Sequence, residues 1–313
     1  MRLTTDARGV YPIAPTPFAA DGSIDVDSID RLCAFYLACG STGLTVLGQL
    51  GEAPKLEHAE SVAVARRFIA KLESLPVVVG VSAPGFAAMR ALTRDVMDAG
   101  AAGVMIAPPN TLRTDDQIAN YYRQASDAIG PDVPFVIQDY PLTFSVQMTP
   151  AVIRRIVVDN ASCVMLKHED WPGLEKISTL RGYEREGGSQ PPMRRIAILT
   201  GNNGLFLDYE MERGADGANT GYAFPDMLVD VVRLSSEGRR EAAHDLFDAH
   251  LPLLRYEQQP GVGLAVRKYL LMRRGLLASD AQRAPAAALS TIAKSEVEHL
   301  LARLAPKDPR ARI

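Results

Sequence analysis

Residues 163–170, "CVMLKHED", set four mostly apolar side chains directly before four ionisable ones. Lys167 closes the run Val164-Met165-Leu166, whose side chains favour burial. An amine in apolar surroundings resists protonation. Its pKa falls, and it becomes a nucleophile able to condense with a ketone as a Schiff base. The same position also suits a lysine that snorkels from a strand end or pairs with Glu169 or Asp170. The other lysines (Lys55, Lys71, Lys176, Lys268, Lys294 and Lys307) fall in loops or on helix faces. Alternate side chains of a strand share a face, so Glu169 lies on the Lys167 side and His168 on the opposite one. Glu169 is thereby a candidate general acid or base beside an imine, or a plain counter-ion. His168 is expected to be structural.

Lys167 needs a strand end inside a cavity, and the chain supplies a repeating frame for one. Short apolar runs recur eight times: "GVYPIAP" (9–15), "GLTVLG" (43–48), "PVVVGVS" (76–82), "GVMIAPP" (103–109), "PFVIQDYP" (134–141), "CVMLKHE" (163–169), "IAILTGN" (196–202) and "GANTG" (217–221). Amphipathic stretches of helical period separate them. In "SIDRLCAFYLACG", for example, Ile29, Leu32, Cys33 and Tyr36 share one face. Gly40, Gly100, Gly182 and Gly214 stand where helix C-caps are expected. Near-continuous apolar strands alternating with helices predict parallel strands buried on both faces. Eight such units fit an α/β fold of the (β/α)8 TIM-barrel type, spanning residues 1–236. Helices expected near 239–251, 262–274 and 286–304 form a C-terminal helical extension over 237–313, and "EREGGSQPPMR" (184–194) reads as a polar surface insertion.

Composition narrows the function. The 313 residues carry a net charge of −3, 47% hydrophobic and 23% charged residues, and only short basic stretches. Nucleic acid is therefore not an expected partner. No run approaches the roughly 18 apolar residues of a membrane span, and the N-terminus lacks an apolar signal core. Cys33, Cys39 and Cys163 have no CxxC spacing, and the five histidines form no HxxxH or HExxH pair. A reduced, cytoplasmic protein without a zinc site is expected. In a barrel of this kind the active site forms at the C-terminal strand ends. Those ends read "APTPF", "GQLGE", "PPNT", "QDYP", "KHED", "TGNNG" and "NTGYAFP". The glycines of "LGQLGE" suit a tight turn whose N–H groups converge on a carboxylate. "PTPF" and "GNNG" are also consistent with turn chemistry alone.

The ordered motifs "APTPF", "LGQLGE", "APPN", "QDYP", "VMLKHE", "LTGNNG" and "GADGANTG" resemble the dihydrodipicolinate synthase / N-acetylneuraminate lyase family over about residues 8–300. That resemblance implies the barrel with its helical C-terminal region, and a homo-oligomer, usually a tetramer. It also implies a class I mechanism in which Lys167 forms a Schiff base with a 2-oxo acid. No cofactor is implied. Gln49 and Leu50 replace the family's two loop threonines, and Gln138 replaces its strand-five tyrosine. Tyr140 shares the parity of Gln138. Leu142-Thr143-Phe144 lacks the synthase arginine, and Asn110 stands near the position of the tyrosine lent to a neighbouring subunit. With Lys167/Glu169, "TGYAFPD" and the stretch 251–275, these departures are similar to the 2-keto-3-deoxy sugar-acid dehydratase branch. The implied catalytic set is Lys167, Glu169, Gln138 and Tyr140. The expected substrate contacts are Thr16, Gly48, Gln49, Leu50, Asn110, Asn219 and Gly221, with Tyr222 a further candidate. An aldolase or a diverged condensing synthase shares the imine, and a non-catalytic ligand-binding barrel shares the fold.

Overall fold

The computed structural model describes residues 1–185 and 192–313. Most of the expected insertion, residues 186–191, lies outside them.

The eight apolar runs become eight parallel strands: β1 (Gly9–Pro12), β2 (Leu44–Val46), β3 (Val77–Gly80), β4 (Gly103–Ile106), β5 (Phe135–Asp139), β6 (Cys163–His168), β7 (Ala197–Thr200) and β8 (Gly217–Thr220). Each pairs with its sequence neighbour in the order β1-β8-β7-β6-β5-β4-β3-β2. The ring closes where Thr42 N–H donates to Val10 O (2.9 Å) and Ala14 N–H to Thr45 O (3.0 Å). The helices are α1 (Val26–Ala38), α2 (His58–Lys71), α3 (Phe86–Asp98), α4 (Asp115–Ile129), α5 (Pro141–Phe144), α6 (Pro150–Asp159), α7 (Leu174–Arg185), α8 (Leu207–Glu212), α9 (Pro225–Ser236), α10 (Arg240–Glu257), α11 (Gly263–Arg273) and α12 (Thr291–Leu304).

Local chemistry accounts for several boundaries. The Asp25 carboxylate accepts from Ser28 N–H and starts α1, which buries Ile29, Leu32, Cys33 and Tyr36 as its period requires. Thr114 and Gln117 form a capping box on α4, and Thr149 followed by Pro150 opens α6. Gly40, Gly100 and Gly214 turn with positive φ after their helices. Gly182 does not: α7 runs through it to Arg185, because Tyr183 and the residues beside it continue the helical pattern. Likewise α10 passes through Pro252 to Glu257 instead of stopping at 251. Helix α12 begins only at Thr291, where Ser290 caps it.

Two apolar layers result. Tyr11, Val78, Met105, Val136, Met165, Ala197 and Leu199 fill the barrel interior, and a larger cluster packs the strands against the helices. Burying side chains at about 25 cal/mol per Å² makes both layers strongly stabilising. The interior is thus plugged by apolar residues from below. Polar side chains on the same inward parity gather toward the upper strand ends, with Thr45 and Asn219 set beside Val78 and Tyr11 of the interior layer.

Candidate active site

Strand register assembles the centre. Gln138 of β5 stands directly beside Lys167 of β6, and Lys167 beside Leu199 of β7. Leu199 belongs to the interior layer, so Lys167 points inward as the alternation requires. Glu169 is inward as well. Its Oε2 lies 2.7 Å from Lys167 Nζ and accepts from Gln138 Nε2 at 3.0 Å. All three side chains are buried. Burial holds the Lys167 amine below the ordinary lysine range; the Glu169 carboxylate pulls it back up, and the charge of Arg267 lowers it further. His168 faces outward, fully buried, with Nε2 3.1 Å from Gly173 O.

Two glycines make room for this centre. Gly201 follows β7 at the inward register, and a Cβ there would lie 2.1 Å from Glu169 Cγ. Gly221 follows β8 at the inward register, and a Cβ there would lie 1.7 Å from Arg267 Nη1. The space of these two missing side chains is therefore taken by a carboxylate from β6 and a guanidinium from α11. Arg267 Nε donates to Glu257 Oε1 at 2.6 Å, Nη2 donates to Asn203 Oδ1, and Glu257 Oε2 accepts from Ala223 N–H at 3.0 Å. "GNNG" is thus more than turn chemistry, since Asn203 ties strand seven to the C-terminal helices.

The remaining expected residues divide. Gly48, Gln49, Asn110 and Gln138 line a cavity of about 670 Å³ above β2–β5, together with Ser82, Met105 and Phe144. Leu50, Lys167 and Glu169 are not on that lining; Gln138 lies between the cavity and the buried pair. The loop after β2 folds into a 3-10 turn, Gln49–Gly51, flanked by left-handed Leu47 (φ 56°) and Glu52 (φ 54°). Its unusual conformations therefore fall on two non-glycine residues, which cost of order 1 kcal/mol each. Glu52 is held there by Lys268 at 2.5 Å and Lys55 at 2.8 Å. Lys268 lies on a helix as expected, yet it is fully buried, because α11 packs it onto this loop. Lys176 is buried too, between Asp139 (2.8 Å) and Asp170 (2.5 Å). Thr16 is not on that lining either; its hydroxyl donates to Gly51 O at 2.6 Å and braces the same loop.

Tyr140 is half-buried, edge-on to Phe144, with its phenol pushed above the ordinary range by burial and by the Glu169 charge. Asn219 is fully buried beside Tyr11, and among the described residues neither its Oδ1 nor its Nδ2 has a partner. Tyr222 turns away from the barrel mouth: its hydroxyl lies 2.8 Å from His250 Nδ1 on α10. The residue that sequence reasoning missed is Arg267. It sits on a helix that the barrel does not require, and its only sequence signal is the bare inward position at Gly221. Another hollow, about 790 Å³, lies outside the barrel between Trp171, Phe206 and α10 and contains no lysine. Among the described residues no cluster of His, Cys, Asp or Glu could hold a metal ion, and no helix is long and apolar enough to cross a membrane.

The arrangement can lower an amine pKa, pass a proton over 2.7 Å to a carboxylate, and hold that carboxylate with an amide. Known proteins share this frame. The chain is 29% identical over 304 residues to L-2-keto-3-deoxyarabonate dehydratase of Azospirillum brasilense, covering 96% of this chain and 95% of that one. It is 28% identical to 4-hydroxy-tetrahydrodipicolinate synthase of Chlorobium luteolum, covering 95% and 97%. A crystal structure described as dihydrodipicolinate synthase from Rhodopseudomonas palustris superposes with a TM-score of 0.94 at 67% identity, covering 97% and 99%. The model of the dihydrodipicolinate synthetase family matches residues 6–304, and the chain, a (β/α)8 barrel with a helical C-terminal extension, belongs to that family of lyases.

Proposed function

We propose that this chain is a Schiff-base lyase acting on a 2-oxo acid, a dehydratase of a 2-keto-3-deoxy sugar acid. The observation that carries the reading is the buried triad of Lys167, Glu169 and Gln138 at the upper ends of β5 and β6. In the resting pair amine and carboxylate lie 2.7 Å apart, within reach of a direct proton transfer. Transfer to Glu169 leaves two neutral groups, which a dry site favours over two charges. The free amine then adds to the C2 ketone, Glu169 gives its proton to the carbinolamine hydroxyl, water leaves, and an iminium forms. The iminium draws electrons from C3, and Glu169, returned to its ionised form, takes the C3 proton. The electron pair moves to the C3–C4 bond, and the C4 hydroxyl leaves as water after receiving that proton. Hydrolysis of the imine frees Lys167.

Gln138 cannot carry a proton at neutral pH, so it orients Glu169 by donating to it. The loop at Gly48, Gln49 and Leu50 would bind the substrate carboxylate, and Asn110 and Asn219 would meet its hydroxyls. The Azospirillum relative, named for a keto-deoxy sugar-acid dehydratase, supports this branch. So does the absence from the sequence of the loop threonines, the strand-five tyrosine and the following arginine. The Rhodopseudomonas and Chlorobium proteins carry synthase names and favour a second reading, in which the same imine makes or breaks a C–C bond. Borohydride trapping with pyruvate should add one reduced adduct to Lys167, and its absence would leave only a binding barrel. Product analysis on 2-keto-3-deoxy acids then separates the two chemistries: loss of water without pyruvate supports dehydration, and release of pyruvate supports cleavage. The family extends the reading to a cytoplasmic homo-oligomer, a dimer or tetramer, which sedimentation and cell fractionation check.

A further inference from the structure

Arg267 is 2% exposed, and one of its nitrogens has no work to do. Nε and Nη2 are occupied by Glu257 and Asn203, whereas Nη1 is buried without a partner among the described residues. Leaving a buried donor unpaired costs as much as a lost hydrogen bond, and such groups in native proteins call for a reason. Nη1 stands where an inward side chain of Gly221 would be, on the barrel side of the mouth. Its charge is felt by both the Lys167 amine and the Tyr140 phenol. A second orphan lies on the same strand. Asn219, two residues before Gly221, is fully buried with both amide atoms unpaired. Continuing the β7–β8 register from Leu199↔Gly217 sets it beside Gly201, where the Glu169 side chain lies. Two unsatisfied polar groups therefore converge on the β7–β8 side of the lysine.

We propose that Arg267 is a specificity-determining residue of the site: its Nη1 hydrogen-bonds an acceptor oxygen on the substrate's carbon chain beyond C3. The substrate class is thereby a 2-oxo acid bearing a hydroxyl or carboxylate oxygen near its far end. This rests on the reading of the Lys167 end as the 2-oxo acid site and adds the direction in which the substrate extends. It also gives the C-terminal extension a part in recognition. Glu257 and Asn203 fix the guanidinium, and Gly221 leaves it room.

The test uses three 2-oxo acids of one length: 2-oxopentanoate, 5-hydroxy-2-oxopentanoate and 2-oxoglutarate. Calorimetric titration reads affinity, and borohydride adduct mass reads imine formation separately. The intact enzyme should bind at least one of the C5-oxygenated acids about tenfold or more tightly than 2-oxopentanoate, the effect of one hydrogen bond to a charged group. In Arg267→Gln combined with Glu257→Gln, which removes both charges of the buried pair together, that ratio should collapse to about one. A wild-type ratio near one, or a ratio that survives in the double variant, overturns the proposal. If the double variant fails to fold, Arg267→Lys decides, since it keeps the charge and loses the fork: the ratio falls at least threefold or the proposal fails. Adducts without C5 preference sink Arg267 alone. C5 preference without adducts keeps Arg267 and sinks the Schiff base.

Discussion

Two buried Lys–Glu pairs lie near the barrel mouth, and they are not alike. Lys167 meets Glu169 at 2.7 Å, and Lys268 meets Glu52 at 2.5 Å. Burial lowers the pKa of both amines, and the partner carboxylate raises it again. The surroundings differ. Lys268 also donates to Ala281 O at 2.8 Å, lies over the Phe18 ring, and shares Glu52 with Lys55 and the Arg283 N–H. It is saturated and braces the 48–52 loop against α11. Lys167 has Glu169, which among the described residues otherwise accepts only the neutral Gln138 amide. The Arg267 charge works against the ammonium form. Burial by itself therefore does not set two buried amines apart; the acceptors around each one do.

The contrast can be broken in four ways, from the largest effect down. Lys167→Met should abolish turnover, by at least about ten-thousandfold, and remove the borohydride adduct. Lys268→Met should keep the adduct on Lys167, and an adduct on Lys268 in the wild type or in Lys167→Met would reverse the assignment. Glu169→Gln should lower kcat about a hundred- to ten-thousandfold, the range of a general acid or base, while Tyr140→Phe costs far less. Equal small losses in both would reduce Glu169 to a counter-ion. Lys268→Met should instead lower stability by about 3 kcal/mol, because Glu52 is left with part of its charge uncompensated, and denaturant titration checks it. The smallest effect is on pH dependence. The Lys167 amine is held below the ordinary value of 10.5, so it deprotonates at a lower pH than a free lysine. Adduct formation with pyruvate should rise as pH climbs through that lowered value and level off before 10.5. A rate still rising at that pH would mean that the amine is unperturbed.

The sequence by itself determined the barrel and the inward placement of Lys167 at a strand end. Period-two burial, strand-length apolar runs and cap residues such as Asp25 and Thr114 are local signals, and eight repeats leave few ways to close. The same period placed Lys167 and Glu169 inward and His168 outward, because register on a strand is arithmetic. It did not place Lys268, Thr16, Tyr222 or Arg267. "GNNG" reads as punctuation and Gly221 as a substrate contact until α11 brings Arg267 into the space that this glycine leaves. Only the tertiary structure decided which buried charges are saturated and which are not. That depends on neighbours brought together from different strands and helices, and short-range periodicity carries no information about them.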